Sequence, residues 1–267
     1  MTTSNDTALS DAIGRLATTP HLLVALDFDG TLAPEVDAPL AARALPEAHA
    51  AILRMLDLPN TSVALVSGRA LDSLSAVADL PPGVMLVGSH GVEVRIGGSD
   101  EVVLSPEEQA LRARVSTILY ECAAPYDDIS VEEKPAGLAL HTRLADAATT
   151  EAVQAEVRRR IAAETTGVTE RVGKNVLEFA VRSVSKGDAV DHLRDVTGAT
   201  AVFYAGDDVT DEDAFRALRE GDVGLKCGAG DTAAEFRVGL PENVAHVLED
   251  LVELRIHLGV AGEPSGG

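Results

Sequence analysis

The sequence predicts an α/β protein: a parallel-sheet core interrupted by a smaller inserted α+β segment. Three observations carry this. Apolar β-type runs alternate with helical periodicities from HLLVALDF at residue 21 to VMLVGSHG ending at residue 91. The same alternation returns from Lys186 to Cys227, and between the two blocks residues 105–180 change texture. With 267 residues, 46% of them hydrophobic, the chain can bury one large core or two modest ones.

In chain order, the strand HLLVALDF is followed by a helix over Leu45–Asp57, the strand SVALVSG, a helix over Ala70–Leu80 and the strand VMLVGSHG. Strands separated by helices of this length read as βαβ units around a parallel sheet. The middle segment holds long Ala/Arg/Glu-rich helices over Glu107–Ala124 and Ala147–Thr165, with strand runs SVEEKPAGLALHTR and TERVGKNVLEFAV. Its borders are the Gly-Gly-Ser-Asp turn at Gly97 and a polar join near Arg182. A helix over Lys186–Val196, the strand TAVFYAGDD, a helix over Asp211–Arg219 and the short strand DVGLKC complete the core. The expected division is therefore core over 1–104, insertion over 105–180 and core again over 181–267, with GVAGEPSGG a frayed end.

The formal charge of −21, from 22 Lys and Arg against 43 Asp and Glu, repels phosphate backbones and anionic lipid. Nucleic acid and membrane surfaces are thereby poor partners, and no apolar run reaches the roughly 20 residues of a membrane helix. An anionic substrate would need a local cluster of cations. Cys122 and Cys227 lie far apart without a Cys or His at metal-ligand spacing, so a disulfide framework is not expected and a reducing, cytoplasmic setting is. The start of the chain lacks the basic and apolar regions of a secretory signal.

Four signals carry chemistry. In LDFDGTL an apolar strand ends in Asp27, Phe28, Asp29, Gly30 and Thr31. Alternation puts Asp27 and Asp29 on one face at a carboxyl strand end, where α/β sheets bind ligands, and two carboxylates there call for a cation. The spacing does not fit a calcium loop, whose glycine stands at the sixth position. In YAGDDVTDEDAF a second strand runs into Asp207 and Asp208, with Thr210, Asp211 and Glu212 opening a helix. Taken alone, Thr210 or Asp211 is a helix cap; taken with the first strand, the mutual repulsion of the acids favours a divalent cation, and Mg²⁺ suits oxygen ligands. In VALVSGR, Ser67, Gly68 and Arg69 lead into a helix, an arrangement that suits phosphate oxygens and also occurs in ordinary βα turns.

The lysines are the fourth signal, because Lys134, Lys174, Lys186 and Lys226 are the only ones in the chain. Lys186 opens the helix ahead of the acidic strand, where a point charge offsets a phosphoryl group. Ser183, three residues earlier, forms a Ser-x-x-Lys pattern without companion motifs. Lys226 reads as solvated surface. Glu132 with Lys134, and Lys174 with Glu178, each share a strand face, as a surface ion pair does or as a polar platform for hydroxyl groups does.

In this order LDFDGTL, VSGR, SKGD and GDDVTDED resemble the four motifs of the haloacid dehalogenase superfamily of Mg²⁺-dependent phosphohydrolases. LVGSHG, EEKPAGLALHTR, GKNVLEF and GDDVTDEDAF resemble, within it, the trehalose-6-phosphate phosphatases over about residues 20 to 250. The resemblance implies a Rossmann-like core with an inserted cap that closes over it. Asp27 is then the nucleophile that forms an aspartyl-phosphate, and Asp29 the general acid and base. Mg²⁺ is held by Asp27, Asp29 through its backbone carbonyl, and Asp207, with Asp208 or Asp211 supporting. Thr31, Ser67, Gly68, Arg69 and Lys186 serve the phosphoryl group, and Glu132, Lys134, Lys174 and Glu178 the sugar. His90 and His141 take packing or supporting places. The implied activity is hydrolysis of trehalose 6-phosphate, paired with a separate trehalose-phosphate synthase. The alternatives are another sugar phosphate, such as sucrose 6-phosphate or a phosphoglycerate-linked mannose, and a non-catalytic sugar-phosphate sensor.

Overall fold

The computed structural model describes residues 4–36, 38–101, 104–173, 175–182 and 184–258. The chain divides into two compact units, Met1–Asp100 with Ser185–Gly267, and Glu101–Val184. The division falls at 101 and 184, where the sequence places 105 and 180.

The first unit begins with α1 (Ser4–Ala17), β1 (Leu22–Leu26), α2 (Pro46–Leu56), β2 (Thr61–Val66), α3 (Leu71–Ala78), β3 (Met85–Gly88), β4 (Glu93–Ile96) and β5 (Ser99–Glu101). The second unit supplies α4 (Pro106–Ala123), β6 (Ser130–Lys134), β7 (Gly137–His141), α5 (Ala147–Glu164), β8 (Thr169–Gly173) and β9 (Val176–Ala180). The first unit resumes with α6 (Lys186–Thr197), β10 (Ala201–Gly206), α7 (Asp211–Ala217), β11 (Val223–Cys227), β12 (Phe236–Val238) and α8 (Pro241–His257).

The sheet of the first unit runs β12-β11-β10-β1-β2-β3-β4-β5. All neighbours from β12 to β3 are parallel, and β4 turns back against β3. Alternation along β1 explains why helices cover both faces. Leu22, Val24 and Leu26 enter one buried cluster with Ile13, Ile52 and Leu248, while Leu23 and Ala25 enter another with Val190, Leu193 and Phe215. Each such side chain contributes about 1.5–3 kcal/mol on burial, so a strand apolar on both faces has no stable place at a solvated surface. Successive strands leave β1 in one direction and β10 in the other. The carboxyl ends of these two central strands therefore form the switch point at which doubly wound sheets bind ligands.

The sequence reading did not place α1, β4, β5, β12 or α8. The glycine turn at Gly97, read as a border, joins the neighbouring strands β4 and β5. Buried Arg255 anchors α8 by donating to Thr61 Oγ1 at 2.7 Å and to the carbonyls of Thr19 and Asn60 at 3.0 and 2.9 Å.

The second unit is an antiparallel sheet in the order β6-β7-β9-β8, with α4 packed on β7 and α5. A capping box starts α4, with Ser105 Oγ accepting from the Glu108 N–H and Glu108 Oε2 from the Ser105 N–H. Leu138, Leu140, Leu177 and Phe179 alternate onto one face and are buried. The opposite face carries Glu132, Lys134 and Glu178. Among the described residues no helix is long and apolar enough to cross a membrane, and both cysteines are free and buried.

Candidate active site

Three adjacent strands end at the site. Asp27 follows β1, Ser67 follows β2 and Asp207 follows β10, and the parallel register of β1 with both neighbours sets the three tips side by side. Asp27, Thr31 and Ser67 are buried. Gly30 has φ +78°, and a Cβ there would lie 2.0 Å from Asp207 Oδ2, so only glycine lets the first loop pass the second carboxylate.

Lys186, the first residue of α6, is also buried and donates at 2.7 Å to both Asp27 Oδ1 and Asp211 Oδ1. A capping box between Ser185 and Asp188 fixes the start of that helix and hence the origin of the lysine. Burial pulls the ammonium pKa down, but Asp27 and Asp211 outweigh it and hold it above its ordinary value. Asp27 is pushed up to about 8, mainly by burial and then by Asp211 and Asp207 against the opposing pull of Lys186. Asp207 rises to about 6 through burial and Asp211. Thr31 Oγ1 stands 3.3 Å from Asp27 Oδ2 and 3.4 Å from Asp207 Oδ1.

Ligand oxygens of Asp27, Asp207 and Asp211 all lie within 4.8 Å of one another. An all-carboxylate set whose members resist joint ionisation fits a hard divalent cation, which would relieve the repulsion. Within the set Asp211 is fully buried and heavily engaged. Its Oδ1 accepts from Lys186 and from Tyr204 Oη at 2.6 Å, and its Oδ2 from the N–H groups of Asp207 and Asp208 at 3.0 and 2.9 Å. Four donors fill the roughly four acceptor positions of a carboxylate, which leaves Asp27 and Asp207 as the members with free lone pairs.

Two further acids of the expected metal site turn their side chains away from this set. Asp208 is exposed, and its Oδ1 accepts from the N–H of Val209 at 2.7 Å, so its carboxylate stays outside the convergent group. The helix-opening turn rotates it outward and brings Asp211 in. The carboxylate of Asp29 is likewise engaged elsewhere, held at 2.5 Å on both oxygens by Nε and Nη2 of Arg69. Arg69, assigned to phosphate, thus grips a carboxylate here, and its guanidinium lies 5.8 Å from the Phe28 ring centroid. Ser67 Oγ accepts from the Arg69 N–H across Gly68 at 3.2 Å. An open cleft of about 750 Å³ adjoins Asp29, Glu35, Val36, Pro39 and Arg69. His90 N–H bonds to the Ser67 carbonyl at 3.0 Å, which places this histidine behind the same turn.

Lys226 corrects a further expectation. It is buried rather than solvated, and its Nζ donates to the Asp207 carbonyl at 2.5 Å and lies 3.5 Å from Glu212 Oε1. The signal was available, because a lysine within the apolar strand run VGLKC has no exposed face in a central parallel strand. Tyr204 was also missed, although a tyrosine inside an apolar strand needs a partner for its hydroxyl and the nearest polar groups are the acids that follow.

The polar face of the second unit is a separate constellation. Register sets Glu132, Ala139 and Glu178 in one row across β6, β7 and β9. Lys134 Nζ donates to Glu178 Oε1 at 2.5 Å, and His141 Nε2 lies 2.8 Å from Glu132 Oε2. The pairing thus crosses strands, linking the two couples read from the sequence. Lys174 and Ser183 lie outside the described residues.

Residues 25–239 match the model of the trehalose-phosphatase family. The chain belongs to that family. It is 34% identical over 232 residues to a bifunctional trehalose-6-phosphate synthase/phosphatase of Thermoproteus tenax, covering 86% of this chain and 32% of that protein. It is 33% identical over 254 residues to a trehalose-phosphate phosphatase of Mycobacterium avium, covering 87% of this chain and 62% of the relative. The chain therefore spans less than two thirds of either relative. The trehalose-6-phosphate phosphatase structure from Aspergillus fumigatus superposes with a TM-score of 0.69 at 24% identity, over 92% of this chain and 97% of that one. A haloacid dehalogenase-like hydrolase from Bacteroides thetaiotaomicron superposes at 0.62 with 18% identity, over 86% and 98%. These likenesses establish the haloacid dehalogenase-type α/β fold for this trehalose-phosphatase family member.

Proposed function

We propose that the chain hydrolyses trehalose 6-phosphate to trehalose and inorganic phosphate. One observation carries the reading: a buried aspartate at the tip of a central strand, Asp27, shares a lysine with a second buried acid in a chain of the trehalose-phosphatase family. In the reaction an Asp27 oxygen bonds to phosphorus, the bond from phosphorus to the sugar oxygen breaks, and Asp29 gives that oxygen a proton. Asp29 then takes a proton from water, whose oxygen displaces the aspartyl group and frees phosphate. Because Arg69 holds both oxygens of Asp29, one of the two contacts opens whenever that carboxyl carries its proton. Lys186 and Ser67 stand ready to bind phosphoryl oxygens, with Thr31 steadying Asp27.

Asp27 and Asp207 would hold Mg²⁺, with Asp211 fixing the loop that presents Asp207. The bound ion supplies positive charge that lets an anionic nucleophile meet a phosphate dianion. The polar row of Glu132, Lys134 and Glu178, extended in the sequence by Lys174, supplies paired donors and acceptors of the kind sugar hydroxyls require. The substrate would come from a trehalose-phosphate synthase, an activity named jointly with phosphatase in the Thermoproteus relative. Two buried thiols suit a reducing, cytoplasmic setting.

The test is phosphate release from trehalose 6-phosphate, sucrose 6-phosphate and glucose 6-phosphate, each with Mg²⁺ and with EDTA. Turnover that needs Mg²⁺ and favours trehalose 6-phosphate is expected. Equal rates on all three sugars overturn the substrate assignment, and undiminished rates in EDTA overturn the metal assignment.

A further inference from the structure

The geometry points to Lys226 as a positioning residue that sets the metal-binding orientation of Asp207 by gripping the backbone of the loop that carries it. The inference rests on the reading of Asp207 as a metal ligand. The loop after β10 makes opposed contacts through the main chain of two consecutive residues, Asp207 and Asp208. The N–H groups of Asp207 and Asp208 both point to Asp211 Oδ2, at 3.0 and 2.9 Å. Their carbonyls turn the other way, and Lys226 Nζ reaches the first at 2.5 Å and the second at 3.4 Å. The peptide between Asp207 and Asp208 is thus held by the acid through its N–H and by the cation through its carbonyl, with one further contact on the peptide to either side, and this fixes the direction in which the Asp207 side chain leaves the chain.

The grip is built into the unit. Lys226 pairs in register with Gly206, the last residue of β10, so its side chain starts directly beside the loop. Its side chain is 4% exposed and that of Glu212 is 9%, and Glu212 Oε2 accepts from the Ala233 N–H at 2.7 Å, which ties the second carboxylate to the following loop. Gly206 completes the arrangement, because a Cβ there would lie 2.2 Å from Asp211 Cγ and drive the acid off the N–H groups. A buried ammonium has a high solvation cost, and main-chain carbonyls with one carboxylate are the partners that offset it.

The sign of the effect separates a grip from a charge. Deleting a cation near an acidic site tightens divalent-cation binding if only the field matters. If the lysine sets the loop, deletion weakens binding. The experiment measures Mn²⁺ binding to the purified full chain by the free-ion resonance signal, without substrate, for wild type, Lys226→Met, Lys226→Arg and Lys226→Gln. Lys226→Met is expected to raise the Mn²⁺ Kd at least tenfold and, at saturating metal, to lower kcat while KM for trehalose 6-phosphate stays within threefold. Lys226→Arg, which keeps the charge and its donors, is expected to recover most of the affinity. A Lys226→Met Kd equal to or below that of wild type overturns the inference. Should Lys226→Met fail to fold, Lys226→Gln decides, because its neutral, shorter side chain also lacks the charge and the reach: a Kd raised at least threefold supports the grip, and a Kd equal to or below that of wild type overturns it. Wild type that binds Mn²⁺ but leaves trehalose 6-phosphate intact refutes the substrate reading alone, since the binding comparison still stands.

Discussion

The two units use the same residue types under opposite conditions. In the first, Asp27, Asp211 and Lys186 are buried, share two contacts of 2.7 Å, and burial pushes the Asp27 carboxyl up to about 8. In the second, Lys134 with Glu178 and Glu132 with His141 remain partly open to water on a sheet face. Water reaches the second set, most of all at Glu132 and His141, so a partner there can be exchanged for a ligand hydroxyl at lower cost than in the first. No such exchange is free in the first set, where removing one charge strands the others in a medium that solvates them poorly. The contrast suits the proposed division, with bond-making in the buried group and recognition in the open one.

The largest expected effect comes from Asp27→Asn, which keeps the shape of the side chain and removes the proposed nucleophile. Turnover of every phosphate ester should fall by about a thousandfold or more, measured as phosphate release, and a residual rate within tenfold of wild type breaks the assignment. Next is Lys186→Met, which leaves Asp27 and Asp211 facing each other without their shared cation. A stability loss of about 3–5 kcal/mol by denaturant unfolding is expected, together with loss of activity, and an unchanged midpoint breaks the claim that the buried charges are mutually dependent. Glu178→Ala should act oppositely. Its stability change stays within about 1 kcal/mol, while kcat/KM falls roughly tenfold or more for trehalose 6-phosphate and hardly at all for an aryl phosphate. Equal losses on both substrates would dissolve the division between the units.

The smallest effect is a pH dependence in the second unit. Hydrogen bonding to Arg182, and then to the Ser105 N–H, holds Glu108 down at about 2 against an ordinary 4.5. A carboxyl depressed in the folded state stabilises fully above its ordinary value and loses that contribution as the pH falls from 4.5 toward 2. Thermal melts of wild type and Glu108→Gln should therefore differ at pH 7 and converge near pH 2. A gap that stays constant down to pH 2 would show that the ionised carboxylate does not set the difference.

What the sequence reveals follows from how local the cause is. The alternation of β1, β2 and β3 with their helices, and the placing of Asp27, Asp207 and Lys186 at element ends, rest on periodicity and on the chemistry of neighbouring residues. Asp211 and Asp208 were harder to rank. Both are acids at a helix start, and only the turn geometry decides that the first faces inward to Tyr204 and Lys186 while the second faces solvent. The burial of Lys226 was legible in VGLKC, but its partners and most of those of Arg255 were not, because they are main-chain carbonyls, which every residue supplies and no residue type announces. The helix α1 carries its apolar side as Ala12, Ile13 and Leu16, few enough to resemble a polar segment until α8 packs against it. The link from Lys134 to Glu178 across strands likewise depends on the register of three strands, which a linear reading of either couple does not contain.

The placement of β1 next to β10 bears on how the molecule is made. Leu22 pairs with Ala201, so the central strand pair joins segments from distant parts of the chain, a pairing of high contact order that closes late and slowly. Until β10 arrives, the LLVAL edge of β1 offers unpaired main-chain groups flanked by apolar side chains on both faces. Such an edge is a template for aberrant pairing between chains. A chain truncated before residue 201 therefore lacks Asp207 and Asp211 and also leaves this edge open, so its fate is aggregation rather than a soluble, inactive fragment.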